Sequence, residues 1–149
     1  MSATSDSTLA RRSRFEALRV SDAMHGPPCT CGPEASLASV AYTLATRHIH
    51  AVVVAGLGED AGDRPWGIVS ALDVAAAAAY PGKRRTAADT AATEVLTIDG
   101  GEALTRAAEL MAEHQLTHLV VVEPGAELPV GIVSTLDIAR AYADPGHPA

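Results

Sequence analysis

The chain has 149 residues, the size of one ordinary domain or of two small ones packed closely, and 48% of them are hydrophobic, enough for a core. Aromatic residues make up only 3% and the net charge is −7 at pH 7, so neither a stacking platform for bases nor a basic footprint for nucleic acid or an anionic membrane is present. No apolar run reaches the roughly 18 residues that a membrane-spanning helix needs.

Along the chain, residues 1–19 form an N-terminal extension in which Leu9 to Leu18 is expected as a short helix packed on the core. Arg11-Arg12 does not begin a twin-arginine export signal, because Glu16, Arg19 and Asp22 stand where an apolar segment would have to follow. A cytoplasmic location is expected. Thr30 ends a short first strand. Pro33 and Glu34 suit the first turn of a helix, and Leu37, Val40, Ala41, Leu44 and Ala45 then recur at helical spacing as one buried stripe. Ala51 to Ala55 is a short continuous apolar run, as in a strand covered on both faces. A loop from Gly56 to Pro65 leads to a strand at Trp66 to Ser70 and a helix ending near Tyr80, before Pro81-Gly82. Residues 81–88, which hold Lys83-Arg84-Arg85, are expected as an exposed connector.

The same order then returns. Leu104, Ala107, Ala108, Met111 and Ala112 form the second stripe, His118 to Val122 and Val130 to Ser134 are strands, and a last helix ends near Tyr142. Residues 144–149 are expected to fray. Thr30 to Ile49 aligns with Thr97 to Leu116 at an offset of 67, and Gly67-Ile68-Val69-Ser70-Ala71-Leu72-Asp73 returns as Gly131-Ile132-Val133-Ser134-Thr135-Leu136-Asp137 at an offset of 64. The second loop is shorter by the difference. Each copy must be one structural unit: strand, helix, strand, strand, helix.

The repeated phrase is an apolar strand running into Ser-x-x-Asp at the start of a helix. Two readings stand side by side. Ser70 and Ser134 at the N-cap, with Asp73 and Asp137 one turn on, can hold a polar ligand, and the unsatisfied helix amides beside them welcome an anion. The same spacing is also close to a capping box, in which each side chain satisfies a backbone donor, for about 1 kcal/mol. Arg140 either reaches a phosphate or pairs with Asp137 across one helical turn.

A duplicated unit of this order closing on Gly-Ile-Val-Ser-x-x-Asp resembles a tandem CBS-domain pair. Asp22-Ala23-Met24 before the first strand, Thr30 and Thr97 ending each first strand, and Glu113-His114-Gln115-Leu116 before the next strand carry the resemblance further. Departures are Val53 and Val120 where the family commonly has proline, and Asp89-Thr90-Ala91, which only partly echoes Asp22-Ala23-Met24. The resemblance implies an α/β (α+β) fold of two β-α-β-β-α units packed as a pseudo-twofold module, with CBS domain 1 at residues 20–80, a linker at 81–88 and CBS domain 2 at 89–143. It implies clefts between the units that bind AMP, ADP, ATP or S-adenosylmethionine as regulatory ligand, with no cofactor required. The matching aspartate holds ribose there, and the matching serine or threonine contacts phosphate or ribose. Thr30 and Thr97, with Cys31 and Ile98, then border the adenine pocket.

In some family members a basic residue just before the second strand reaches the phosphates. His50 holds that place in the first copy, followed by Ala51; Thr117 and His118 hold it in the second. With Arg140 matched by Ala76 and His118 by Ala51, the clefts are expected to differ in affinity, the Asp137 cleft favouring the more phosphorylated ligand. Arg64 and Lys83-Arg84-Arg85 are further candidates for screening phosphate charge. Homodimers are common in the family, and an unidentified protein effector would receive the signal. His48, His114 and His147 read as surface residues.

No nucleophile elbow, P-loop or dinucleotide fingerprint occurs, so no catalysis is expected. Two other functions compete with a nucleotide sensor. One is a ligand-free module for dimerisation or protein interaction. The other is a redox- or metal-responsive module using Cys29 and Cys31, with His25 nearby. Zinc usually needs four ligands, and the second copy has Leu96 and Ile98 at the cysteine positions, so small apolar residues of the core are the favoured reading and no metal is expected. The two cysteines are too few and too close for a disulfide framework.

Overall fold

A computed structural model describes residues 3–56, 65–80, 82, 85–91, 95–124 and 129–146. Arg64, Lys83, Arg84 and His147 lie outside the described residues, as does most of the loop at 56–65. The elements run α1 (Ala3–Glu16), α2 (Val20–Ala23), β1 (Thr30–Cys31), α3 (Leu37–Arg47), β2 (Ala51–Ala55), β3 (Pro65–Ser70), α4 (Ala71–Ala79), α5 (Ala87–Thr90), β4 (Thr97–Asp99), α6 (Leu104–His114), β5 (His118–Val122), β6 (Pro129–Ser134) and α7 (Thr135–Ala143). They form two three-stranded sheets, in the orders β1-β2-β3 and β4-β5-β6. Thr30 lies opposite Val53 in a parallel pair, and Thr97 opposite Val120 in another. Ala51 faces Ser70 in the antiparallel pair of β2 and β3. The α/β fold expected from the sequence is the fold observed.

The chain divides into two compact units. Unit 1 takes residues 1–27, 97–126 and 130–149; unit 2 takes 28–96 and 127–129. In unit 1, Val20 and Ala23 of α2, Leu104 and Ala107 of α6, Leu119, Val120 and Val121 of β5, Val133 of β6 and Ala141 of α7 are all fully buried. Phe15 of α1 is buried too, edge-on to Tyr142 with ring centroids 5.4 Å apart. Unit 2 buries Val40 and Leu44 of α3 against Val52 and Val54 of β2, Val69 of β3 and Ala87 of α5. Cys29 and Cys31 pack against that cluster, as small apolar residues do. Burial raises the Cys31 thiol above its ordinary range.

Each unit combines the body of one repeat with the lead-in of the other. In unit 1 the Val20 amide donates to the Glu102 carbonyl, Ser21 to Gly100, and Leu104 to Leu18, each at 2.9 Å. In unit 2 Ala87 donates to Ala35 at 2.8 Å, Ala88 to Pro33 at 2.9 Å, and Leu37 to Arg85 at 2.9 Å. Every bond in one set returns in the other at the repeat offset of 67. The stretch expected as an exposed connector is thus exposed at Arg85 but pinned from there to Ala88, with Ala87 wholly buried.

Helix ends depart from the sequence reading in two places. Pro33 and Glu34 form a turn rather than a helix start; α3 begins at Leu37 because the Ser36 hydroxyl accepts from the Ser39 amide at 3.1 Å. Ala45 and Ala112 face solvent, since eight positions beyond Leu37 and Leu104 a helix of 3.6 residues per turn has rotated off the stripe. Both helices end in a left-handed residue that is not glycine, His48 and Gln115, each with φ 53°.

Candidate functional site

The carboxyl ends of β3 and β6 deliver serine and aspartate to α4 and α7 in the same way. The Asp73 amide donates to Ser70 Oγ at 3.2 Å, while Asp73 Oδ2 accepts from the Ser70 amide at 2.8 Å and from Ser70 Oγ at 3.0 Å. Ser134 and Asp137 repeat those three distances. The first amide of each helix is also satisfied: Ala71 donates to the His50 carbonyl at 2.9 Å, and Thr135 to the Thr117 carbonyl at 3.0 Å. The capping reading is therefore correct as geometry in both copies. It accounts for only one oxygen of each carboxylate, Oδ2.

A third box, Thr86 with Asp89, caps α5. Its carboxyl is held below the ordinary value of 3.8, first by the Arg85 amide, then by the Thr86 amide and hydroxyl, with the Arg85 charge adding to these. The Ser/Thr-x-x-Asp pattern alone hence marks helix starts; 70–73 and 134–137 differ in following directly on a strand, β3 and β6.

In unit 2, Ser70, Asp73 and the backbone of His50 meet at one corner, where Ala51 pairs with Ser70. Asp73 is half-buried, and among the described residues none donates to its Oδ1. The His50 ring is exposed, and Thr30 is exposed at the start of β1. In unit 1, Ser134, Asp137, Thr117 and His118 gather likewise, Thr117 Oγ1 lying 2.9 Å from His118 Nδ1. Thr97 is exposed at the start of β4.

Asp137 differs from Asp73. It is 3% exposed, its Oδ1 lies 2.5 Å from His25 Nε2, and Arg140 Nη1 stands 3.9 Å away. A carboxylate only accepts, so the imidazole N–H donates. Arg140 stands within pairing distance of Asp137, one helical turn on. In the sequence His25 stands only beside the cysteines; in the structure it lies on Asp137, in a bridge to Ile132 of β6. The signal available in the sequence was Gly26 and Gly131, small residues where two backbones meet. Cys29 Sγ instead accepts from Arg47 Nη1 at 3.4 Å. Among the described residues no three His, Cys, Asp or Glu side chains gather to hold a metal ion, and no helix is long and apolar enough to cross a membrane.

A family model described as CBS domain matches residues 20–80 and again 87–144. Among solved structures, the CBS domain pair of protein MJ0100 in complex with 5'-methylthioadenosine and S-adenosyl-L-methionine is 23% identical, with a TM-score of 0.75 over 86% of this chain and 98% of that one. The CBS domain protein PAE2072 from Pyrobaculum aerophilum, complexed with AMP, is 28% identical, with a TM-score of 0.70 over 85% and 98% of the two chains. The CBS domain of a CBS-domain-containing membrane protein from Sphaerobacter thermophilus is 20% identical, with a TM-score of 0.73 over 93% and 96%. Comparison with curated protein sequences finds no match.

Proposed function

Since the chain belongs to the CBS-domain family, as a tandem pair, we propose that it is a non-catalytic regulatory module whose serine–aspartate corners take an adenosine-containing ligand, AMP, ADP, ATP or S-adenosylmethionine. The observation that carries this is Asp73: Oδ2 is consumed by the helix cap, while among the described residues no group donates to Oδ1, at the end of the apolar strand β3. A ribose diol supplies such donors. The ligands bound by MJ0100 and by the Pyrobaculum aerophilum protein share an adenosine-type ribose, which supports that class. Ser70, His50 and Thr30 would lie around it in unit 2, and Ser134, Thr117, His118, Arg140 and Thr97 in unit 1. We place the module in the cytoplasm as a homodimer that signals to a protein effector; for a ligand to signal, its affinity must differ between two arrangements of the protein.

A second reading, an interaction module without ligand, is favoured by one feature: Leu72 of α4 is 75% exposed and Tyr80 at its end 77%. A thermal-shift panel of AMP, ADP, ATP, S-adenosylmethionine, NAD and zinc separates the two. A ligand at a hundred times its Kd adds about 2.7 kcal/mol, or about 5–10 °C at this size. The sensor reading expects that shift with an adenosine compound and its loss in Asp73→Ala; no shift with any adenosine compound leaves the interaction module.

A further inference from the structure

Among the described residues, the Asp137 corner carries a group with no counterpart at the Asp73 corner. His25 reaches Asp137 from 112 positions earlier in the chain, and its backbone is fixed there. The His25 amide donates to the Ile132 carbonyl at 2.9 Å, and the Ile132 amide to the His25 carbonyl at 2.8 Å. The two strands of chain lie so close that a Cβ on Gly26 would stand 2.4 Å from the Val130 carbonyl oxygen, and one on Gly131 2.8 Å from the His25 carbonyl oxygen. With the backbone held, only rotation of the side chain can remove the ring from Asp137. The ring is free to turn outward, its side chain being 59% exposed.

Asp137 itself has no such freedom. It is 3% exposed, its Oδ2 is locked into the cap, and its Oδ1 already receives the imidazole, with the Arg140 guanidinium alongside. A carboxylate oxygen can accept two donors, but on a side chain only 3% exposed, with the imidazole and the guanidinium already beside Oδ1, a new donor gains access only where the ring moves away. In the other repeat the sequence places Ala76 at the position of Arg140 and Ala92 at that of His25.

We propose that His25 is an internal occupant of the Asp137 acceptor, which a diol-bearing ligand must displace, so that the Asp73 corner fills first and the Asp137 corner only at higher ligand concentration. This rests on the reading that the two aspartates hold the ligand's hydroxyls. Filling of the second corner would free the imidazole into solvent, giving the module a distinct state for high ligand. The duplication thereby yields a graded sensor from two corners of equal backbone geometry.

The test is calorimetric titration with AMP, and in parallel with S-adenosylmethionine, of wild type, Asp73→Ala, His25→Ala and His25→Gln. Wild type should show a tight and a weak event, the tight one absent in Asp73→Ala. His25→Ala should strengthen the weak event about tenfold or more, the scale of one charge-assisted hydrogen bond that no longer has to be broken. His25→Gln, which keeps an N–H donor, should return it toward wild type. Binding to wild type with the weak event unchanged or weakened in His25→Ala overturns the displacement proposal alone. Silence of both probes in all four proteins overturns the ligand reading and the proposal with it. A ligand-independent arm follows the His25 ring nitrogens by NMR: their resonances should move in Asp137→Ala, and unmoved resonances overturn the contact.

Discussion

At the scale of the residue, one carboxylate has two jobs divided between its oxygens. Oδ2 of Asp73 and of Asp137 completes a helix cap, which is why Ser-x-x-Asp is readable as a helix start without any ligand. Replacing Ser70 or Ser134 with alanine should cost about 1 kcal/mol each in chemical denaturation, the usual worth of a cap. Asp89 shows the same cap with its electrostatics exposed. Its folded-state carboxyl is held below the ordinary 3.8 by donors from Arg85 and Thr86, so its contribution to stability is full above the unfolded value and is lost as pH falls through the folded one. The stability gap between wild type and Asp89→Asn should therefore stay constant from neutral pH down to about pH 5 and close below the ordinary aspartate range; a gap that widens in acid would refute the sign.

At the scale of the element, close approach and burial decide the outcome of substitution. The lead-in from Met24 to Gly26 lies flat on β6 because Gly26 and Gly131 have no Cβ to hold it off. Gly26→Ala should destabilise by about 1–3 kcal/mol in denaturant melts, the range for overpacking, whereas Gly32→Ala, with open space around the added carbon, should stay within about 0.5 kcal/mol. The same contrast holds between two leucines. Leu104, fully buried at the start of α6, should cost about 2–5 kcal/mol as alanine; Leu72, three-quarters exposed on α4, should cost little, unless a partner covers it in solution, in which case the loss appears in the assembly rather than in the fold. The strands at Ala51–Ala55 and His118–Val122 were legible to the residue, because each is an apolar run bounded by helix and turn. The short helices α2 and α5 were not, since four residues carry too little periodicity to register.

For the molecule as a whole, the duplication carried the architecture. A phrase repeated at fixed offset compels two alike units, and the structure bears out two sheets of equal order. What the repeat did not disclose is that each unit borrows the other repeat's lead-in. Periodicity marks which face of an element is buried, not which body covers it. His25 was misplaced for that reason: reading outward from Cys29 set it beside its sequence neighbours, while the lead-in carries it onto β6 and Asp137. The candidate corners themselves, Ser70 with Asp73 and Ser134 with Asp137, were legible because strand, cap and acid fall within one short phrase. The inequality of those corners was legible only in part, through Arg140 against Ala76 and His118 against Ala51.

The central claim, that Asp73 Oδ1 is open to receive a ribose hydroxyl, is tested most directly by a crystal structure of the protein grown with AMP in excess. AMP is expected at the start of α4 with a ribose oxygen about 2.5–3.0 Å from Asp73 Oδ1, the distance of a hydroxyl donating to an oxygen. AMP bound elsewhere with Asp73 facing water, or its absence from both corners at saturating concentration, would contradict it.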